Sequence, residues 1–129
     1  MRQRLVVDFD GTCVGHDFPA MSLEVPGCVE VLRTLVARGY TITLNTMRSG
    51  TALDEAVQWF KERHLPLYGV NQDPAQKAWT ESPKVDGDFY IDDKGLGCPM
   101  RLHVLFDKPV VDWECVLCLI DLKERETHT

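Results

Sequence analysis

The chain has 129 residues, a length that suits a single hydrophobic core, and we expect residues 1–129 to form one domain. Hydrophobic residues make up 44% of the chain and charged residues 26%, as in an ordinary globular protein. A net charge of −6 without a basic cluster argues against long nucleic acids as partners. No apolar run is long enough to cross a membrane and no signal peptide is recognisable, so we expect a cytoplasmic protein without a membrane partner.

The first predicted element is a strand over residues 4–9, and it delivers two carboxylates to a tight turn. Residues i and i+2 of a strand point to the same side, so Asp8 and Asp10 can face one cavity. An ordinary solvent-exposed Asp-Gly turn at Gly11 is the alternative. Two like charges at this distance are costly unless a cation or a shared proton offsets them. The pattern therefore favours a site for a divalent metal and a phosphate.

The next elements alternate between helix and strand. Residues 11–24 show no periodicity and are predicted to be a loop, in which His16, Asp17 and Phe18 either line the mouth of a site or only stabilise the loop. Apolar residues at helical spacing predict helices from Pro26 to Gly39 and from Ser49 to about His64. Residues 40–46 and 67–70 are predicted strands.

The second half of the chain completes an α/β pattern. Residues 71–83 are predicted to be loop, 89–93 a strand, 102–106 a short strand and 113–123 a final helix capped by Asp112. Strands that alternate with helices imply right-handed crossovers and a parallel sheet. We therefore expect a Rossmann-like three-layer α/β sandwich with a central, mainly parallel sheet.

Five cysteines at irregular spacing do not form a recognisable metal or disulfide framework. Cys115 and Cys118 form a C-x-x-C pair in an apolar helix, but neither a second pair nor paired histidines accompany it. We expect both thiols to be buried as small hydrophobic side chains. Reduced thiols are consistent with a cytoplasmic location.

Asp92 and Asp93 form a second carboxylate pair at the end of a predicted strand. Ligands of parallel α/β sheets bind outside the carboxyl ends of the strands, where Asp8 and Asp10 are also expected. Together these residues offer the oxygen ligands that Mg²⁺ prefers. An acidic turn without a metal is the alternative.

Thr46 and a lysine are the further candidates for binding phosphate. Thr46 ends the second strand, and its hydroxyl can donate to a phosphoryl oxygen, although it can equally just begin a connection. Lys84 precedes the last carboxylate strand, with Lys77 and Lys94 as rivals for the same role. Arg48 either contacts substrate or is a solvated residue at a helix start.

These motifs resemble those of the haloacid dehalogenase-like (HAD) phosphohydrolases, in the same order along the chain. Asp8-Phe9-Asp10-Gly11-Thr12 resembles motif I, Thr46 motif II, Lys84 motif III and Asp92-Asp93 motif IV. The match spans most of residues 5–99, and the sequence around the motifs is similar to that of small bacterial and phage members. The DxDGT sequence followed by a later Asp pair is the specific part of the match.

The resemblance implies a role for each matched residue. Asp8 would attack phosphorus and form an aspartyl-phosphate, and Asp10 would act as general acid and base. Asp8, the backbone carbonyl of Asp10, and Asp92 would hold Mg²⁺, with Asp93 as a ligand or an outer support. Thr46 and Lys84 would stabilise the charge on the transferring phosphoryl group.

The spacing between the motifs leaves no room for the cap domain that many members of this family carry. By the resemblance, such an open site is associated with large substrates or with closure by a second subunit in a homo-oligomer. We expect a small-molecule or terminal phosphomonoester as substrate. Phosphoryl transfer to an acceptor other than water is an alternative activity. The alternative to an enzyme is a domain of the same fold that binds metal or phosphate without catalysis.

Overall fold

Four short parallel strands form the central sheet of the computed structural model, which describes residues 3–127. They are β1 (Arg4–Val7), β2 (Thr41–Leu44), β3 (Leu67–Val70) and β4 (Phe89–Ile91), in the order β3-β2-β1-β4. This confirms the predicted Rossmann-like α/β fold with a parallel sheet. The ends of the predicted domain, residues 1–2 and 128–129, lie outside the described residues.

One face of the sheet supplies the main hydrophobic core. Alternate residues of β1 and β2, such as Leu5, Val7 and Ile42, are buried there. The apolar stripes of three helices join the same core: α1 (Cys28–Ala37), α2 (Gly50–Glu62) and α3 (Trp113–Thr127). Three consecutive residues of β1 and of β2 are buried, because both faces of these central strands are covered. The helices bury one apolar stripe each, in agreement with the predicted helical spacing.

The opposite face of the sheet is covered by residues 71–88, which include a one-turn 3-10 helix (Gln76–Ala78). The buried Gln76 side chain organises this segment, because its amide donates to the carbonyls of Ser82 and Lys84 and its oxygen accepts from the Asp86 N–H. The segment predicted as a polar loop is therefore ordered by its own buried hydrogen bonds.

Two predictions about the C-terminal third were wrong. Residues 102–106 form no strand but a turn, closed by the Phe106 N–H to the His103 carbonyl, and a small antiparallel pair of β5 (Met100–Arg101) and β6 (Val110–Val111) flanks it. Cys115 and Cys118 are exposed rather than buried. The reason is that α3 turns Val116 and Ile120 to the core, which places both thiols on the outer side of the helix.

The segments between the strands are short. Residues 11–27 form turns and isolated bridges, and residues 46–88 contribute only α2, β3 and the 3-10 turn, so the described chain carries no cap domain. Among residues 3–127, no helix combines the length and the apolar composition that crossing a bilayer requires.

Candidate active site

Three carboxylates converge where β1 and β4 end. The two strands are in register, with Val7 opposite Ile91, and the Asp8 N–H donates to the Ile91 carbonyl at 3.0 Å. This pairing places Asp8 beside Asp92 and Asp93. One side-chain oxygen of each of the three residues lies within 4.8 Å of the other two, and all three are half-buried. We call these residues the acidic cluster.

Asp8 is the most perturbed carboxylate of the acidic cluster. Burial, and then its contacts with Asp93 and Asp92, raise the pKa of Asp8 from 3.8 to about 8, against the opposing effect of a hydrogen bond from Thr12. The protein groups around Asp8 therefore offset its negative charge only in part. A divalent cation with carboxylate ligands would offset it, so the donor set suits a hard metal ion.

Thr12 joins the two halves of the acidic cluster. Its hydroxyl donates to Asp8 Oδ2 at 3.0 Å and accepts the Asp93 N–H at 3.1 Å, and the residue is fully buried. The Thr12 carbonyl in turn accepts a 2.7 Å hydrogen bond from the indole of Trp113 at the start of α3. The sequence indicated Thr12 only as part of a motif, and it carried no signal for the distant Trp113.

Replacing Thr12 with valine should test this linkage, because valine keeps the shape and removes the hydroxyl. The substitution leaves the Asp93 N–H without its acceptor, so we expect a loss of about 1–3 kcal/mol in the free energy of unfolding, measured in urea. Thr34→Val, at an exposed position of α1, is the control and should change stability by less than about 0.5 kcal/mol. Equal costs for both variants would contradict the linking role.

The Asp10 side chain turns away from the acidic cluster to Arg48. The guanidinium donates to both Asp10 oxygens, at 2.9 and 2.8 Å, and lies 5.1 Å from the centre of the Phe9 ring. Arg48 is only 2% exposed, so the interpretation as a solvated residue was wrong. The predicted metal contact of Asp10 was through its backbone carbonyl; its carboxylate is engaged elsewhere.

Arg48 also holds the loop that we call the flap, residues 15–24. It donates to the carbonyls of Pro19 and Ala20 at 3.3 and 2.9 Å. Its guanidinium carbon lies 5.3 Å from the centre of the Phe18 ring. The flap is therefore fastened to the same residue that fixes Asp10.

His16 is the flap residue that reaches the acidic cluster. Its Nε2 lies 3.2 Å from Asp93 Oδ2. Gly11 makes this approach possible, because its φ is +84° and a β-carbon there would collide with His16 and Asp93. The neighbouring Asp17 is exposed and makes no side-chain hydrogen bond among the described residues.

Thr46 lies at the same edge of the sheet, after β2. The Asn45 N–H donates to the Val7 carbonyl at 2.8 Å, which places the end of β2 beside Asp8. The Thr46 hydroxyl accepts the Arg48 N–H at 3.1 Å, and its own proton has no acceptor within residues 3–127. That proton is available to a ligand.

The Lys84 ammonium lies against the Tyr90 ring rather than in an ion pair with the acidic cluster. The ammonium is 5.5 Å from the centre of the ring, and Tyr90 pairs with Val6, two residues before Asp8. The segment that carries Lys84 leads to the beginning of β4, where the Asp88 N–H donates to the Arg4 carbonyl. In the described part of the chain, none of the three candidate lysines forms an ion pair with the acidic cluster.

The cysteine nearest to Asp8 is not a competing nucleophile. Cys13 is fully buried, and its thiol lies 3.4 Å from the Asp8 carbonyl. Burial and the neighbouring Cys28 raise the pKa of the Cys13 thiol well above its usual value. A thiol in this environment stays protonated and inert.

Comparison with known proteins gives one informative match. No protein-family model matches the chain, and no curated protein matches it significantly. The chain is similar to a solved structure described as that of a conserved protein from Bacteroides thetaiotaomicron, with 32% sequence identity and a TM-score of 0.79. The similarity covers 95% of this chain and 93% of the other. At this identity and coverage, the chain belongs to the same family as the conserved Bacteroides thetaiotaomicron protein.

Proposed function

We propose that this protein is a Mg²⁺-dependent phosphomonoesterase of the HAD type with Asp8 as its nucleophile. The observation that carries the proposal is the acidic cluster, in which oxygens of Asp8, Asp92 and Asp93 lie within 4.8 Å of one another at the carboxyl edge of the sheet. This is the edge where ligands of parallel α/β sheets bind. The order of the motifs along the sequence supports the same activity.

The reaction would have two steps. An Asp8 oxygen attacks phosphorus, the bond from phosphorus to the leaving oxygen breaks, and that oxygen takes a proton from Asp10. Water then attacks the phosphorus of the aspartyl-phosphate and gives a proton back to Asp10, which releases phosphate and restores Asp8. Since Arg48 contacts both Asp10 oxygens, at least one of these hydrogen bonds must open for each proton transfer.

Mg²⁺ would be held by the three carboxylates of the acidic cluster and the Asp10 backbone carbonyl. When bound, it supplies positive charge at the phosphoryl oxygens. The free proton of the Thr46 hydroxyl would bind one of those oxygens. We assign no role to Lys84, whose ammonium lies against Tyr90.

The expected substrate is a small-molecule or terminal phosphomonoester. Because no cap domain covers the site, a terminal phosphate on a larger molecule can also reach it. Closure by a second copy of the chain would also suit such a site. All five cysteines are free, which fits a reducing compartment, and we place the enzyme in the cytoplasm.

The first experiment is hydrolysis of p-nitrophenyl phosphate with Mg²⁺ and with EDTA. We expect turnover with Mg²⁺ and a loss on the order of 100-fold or more in EDTA. Release of nitrophenol in excess of phosphate, when an alcohol is added, would indicate phosphoryl transfer instead. Absence of turnover together with absence of Mg²⁺ binding in calorimetry would contradict the proposal and favour a non-catalytic domain.

A further inference from the structure

A cleft adjoins the acidic cluster on the side of the flap. It lies between the flap and residues 102–109 and has a volume of about 140 Å³, with His16, Asp17, Ser22, Phe106, Asp107 and Lys108 among its lining residues. His16 connects the two spaces, because it lines this cleft and also lies 3.2 Å from Asp93. The cleft and the acidic cluster are therefore neighbours that share His16.

Apart from His16, the polar side chains of the cleft have no side-chain partner in the described part of the chain. Asp17, Ser22, Asp107 and Lys108 form no side-chain hydrogen bond or ion pair within residues 3–127. The cleft thus offers carboxylate acceptors, an ammonium donor and a hydroxyl in a space of limited size. Unpaired polar groups around a concave site are the usual means of orienting a small ligand.

The apolar lining of the cleft consists of Leu105 and the ring of Phe106. The His103 ring supports the Phe106 ring at 5.6 Å between centroids. On its other side the Phe106 ring packs so closely on the flap that a β-carbon at Gly15 would lie 2.6 Å from Phe106 and from Ser22 Oγ. Glycine at this position therefore lets the aromatic ring and the polar groups surround the same space.

We propose that this cleft binds the leaving group of the substrate and selects a small sugar or polyol. A hydroxyl both donates and accepts hydrogen bonds, so it can pair with Asp17 as well as with Lys108. The C–H face of a polyol can pack on the Phe106 ring, whereas a carboxylated leaving group would be repelled by Asp17 and Asp107. The inference rests on the proposed phosphomonoesterase function.

The volume of the cleft indicates the size of the group that fills it. A cavity of about 150 Å³ accepts a molecule of about the size of benzene. A cleft of about 140 Å³ is therefore filled by a short polyol or a single small sugar.

A matched pair of substrates separates recognition of hydroxyls from phosphoryl chemistry. Glycerol phosphate and n-propyl phosphate have the same number of carbon atoms and differ in their hydroxyl groups. We expect kcat/KM for glycerol phosphate to exceed that for propyl phosphate by roughly tenfold or more. Asp17→Asn and Lys108→Met should each reduce this ratio by roughly tenfold, because the lost hydrogen bond involves a charged group.

Lys123→Met is the matched control, since Lys123 is exposed on α3 and, among the described residues, its ammonium pairs with Glu126 alone. It should leave the ratio unchanged. Hydrolysis of p-nitrophenyl phosphate, measured in parallel, reports on the proposed function alone. If that ester is hydrolysed while the ratio is near one, or while both cleft variants keep the wild-type ratio, the cleft inference is wrong and the phosphomonoesterase proposal stands. If no phosphomonoester is hydrolysed, the cleft inference and the phosphomonoesterase proposal are both wrong.

Discussion

The Asp8→Asn variant is expected to lose turnover by a factor of at least about 10⁴ and, when free of metal, to be more stable than the wild type at pH 8. The first effect follows because an amide oxygen cannot replace the carboxylate nucleophile. The second follows because asparagine has no charge to bury among the acidic residues. Loss of activity together with a gain in stability is the behaviour of a charged group that is kept for function at a cost in stability.

The pH dependence of stability follows from the direction of the shift at Asp8. The pKa of this side chain is 3.8 for an unperturbed aspartate, as in the unfolded chain, and about 8 in the folded protein. Between these values the unfolded chain has lost a proton that the folded chain retains, so the free energy of unfolding falls as the pH rises. This contribution is intact below about pH 4 and is lost once the pH has passed about 8.

Thermal unfolding of both proteins in EDTA, from pH 4 to pH 8, would test the prediction. We expect the Tm difference to be near zero at pH 4 and to reach roughly 10 °C in favour of Asp8→Asn at pH 8. Mg²⁺ should raise the Tm of the wild type more than that of the variant. Asp54→Asn, at an exposed position of α2, is the control and should follow the wild type. If the Tm values of the wild type and of Asp8→Asn change with pH in parallel, burial and the neighbouring carboxylates do not destabilise the charged form of Asp8.

The sheet and the acidic cluster could be predicted because they follow from local rules. Apolar strands end in carboxylates at Asp8 and at Asp92, and the carboxyl ends of parallel strands share one edge. The structure brings these segments together through the register of β1 and β4. Predicting that these carboxylates meet therefore required no knowledge of individual contacts between distant residues.

The remaining features depend on contacts across the chain. Arg48 is buried with Asp10, 38 residues away, which accepts two of its side-chain hydrogen bonds, and a sequence pattern does not reveal such a pair. The position of Lys84 depends on how residues 71–88 fold over the sheet around Gln76. The prediction that Cys118 is buried was wrong because only tertiary packing decides which face of an apolar helix meets the core.

Loss of the Arg48 side chain is expected to be the most destabilising of the substitutions considered. Arg48→Met would leave the Asp10 carboxylate without its partner and the flap carbonyls of Pro19 and Ala20 without donors. Removing one member of a buried ion pair typically costs about 3–5 kcal/mol. Asp10 is 20% exposed at its side chain, so we expect a cost of about 3 kcal/mol in urea unfolding.

A double-mutant cycle distinguishes the ion pair from simple loss of packing. We expect Arg48→Met and Asp10→Asn together to cost less than the sum of the two single substitutions, with a coupling energy of about 1–3 kcal/mol. Arg33→Met, at an exposed position of α1 where the guanidinium donates to the Arg63 carbonyl, is the control and should cost under about 0.5 kcal/mol. Hydrogen exchange in residues 16–24 should accelerate in Arg48→Met and not in Arg33→Met, because only the first releases the flap. Additive costs with unchanged exchange would mean that Arg48 fills space without fixing Asp10 and the flap.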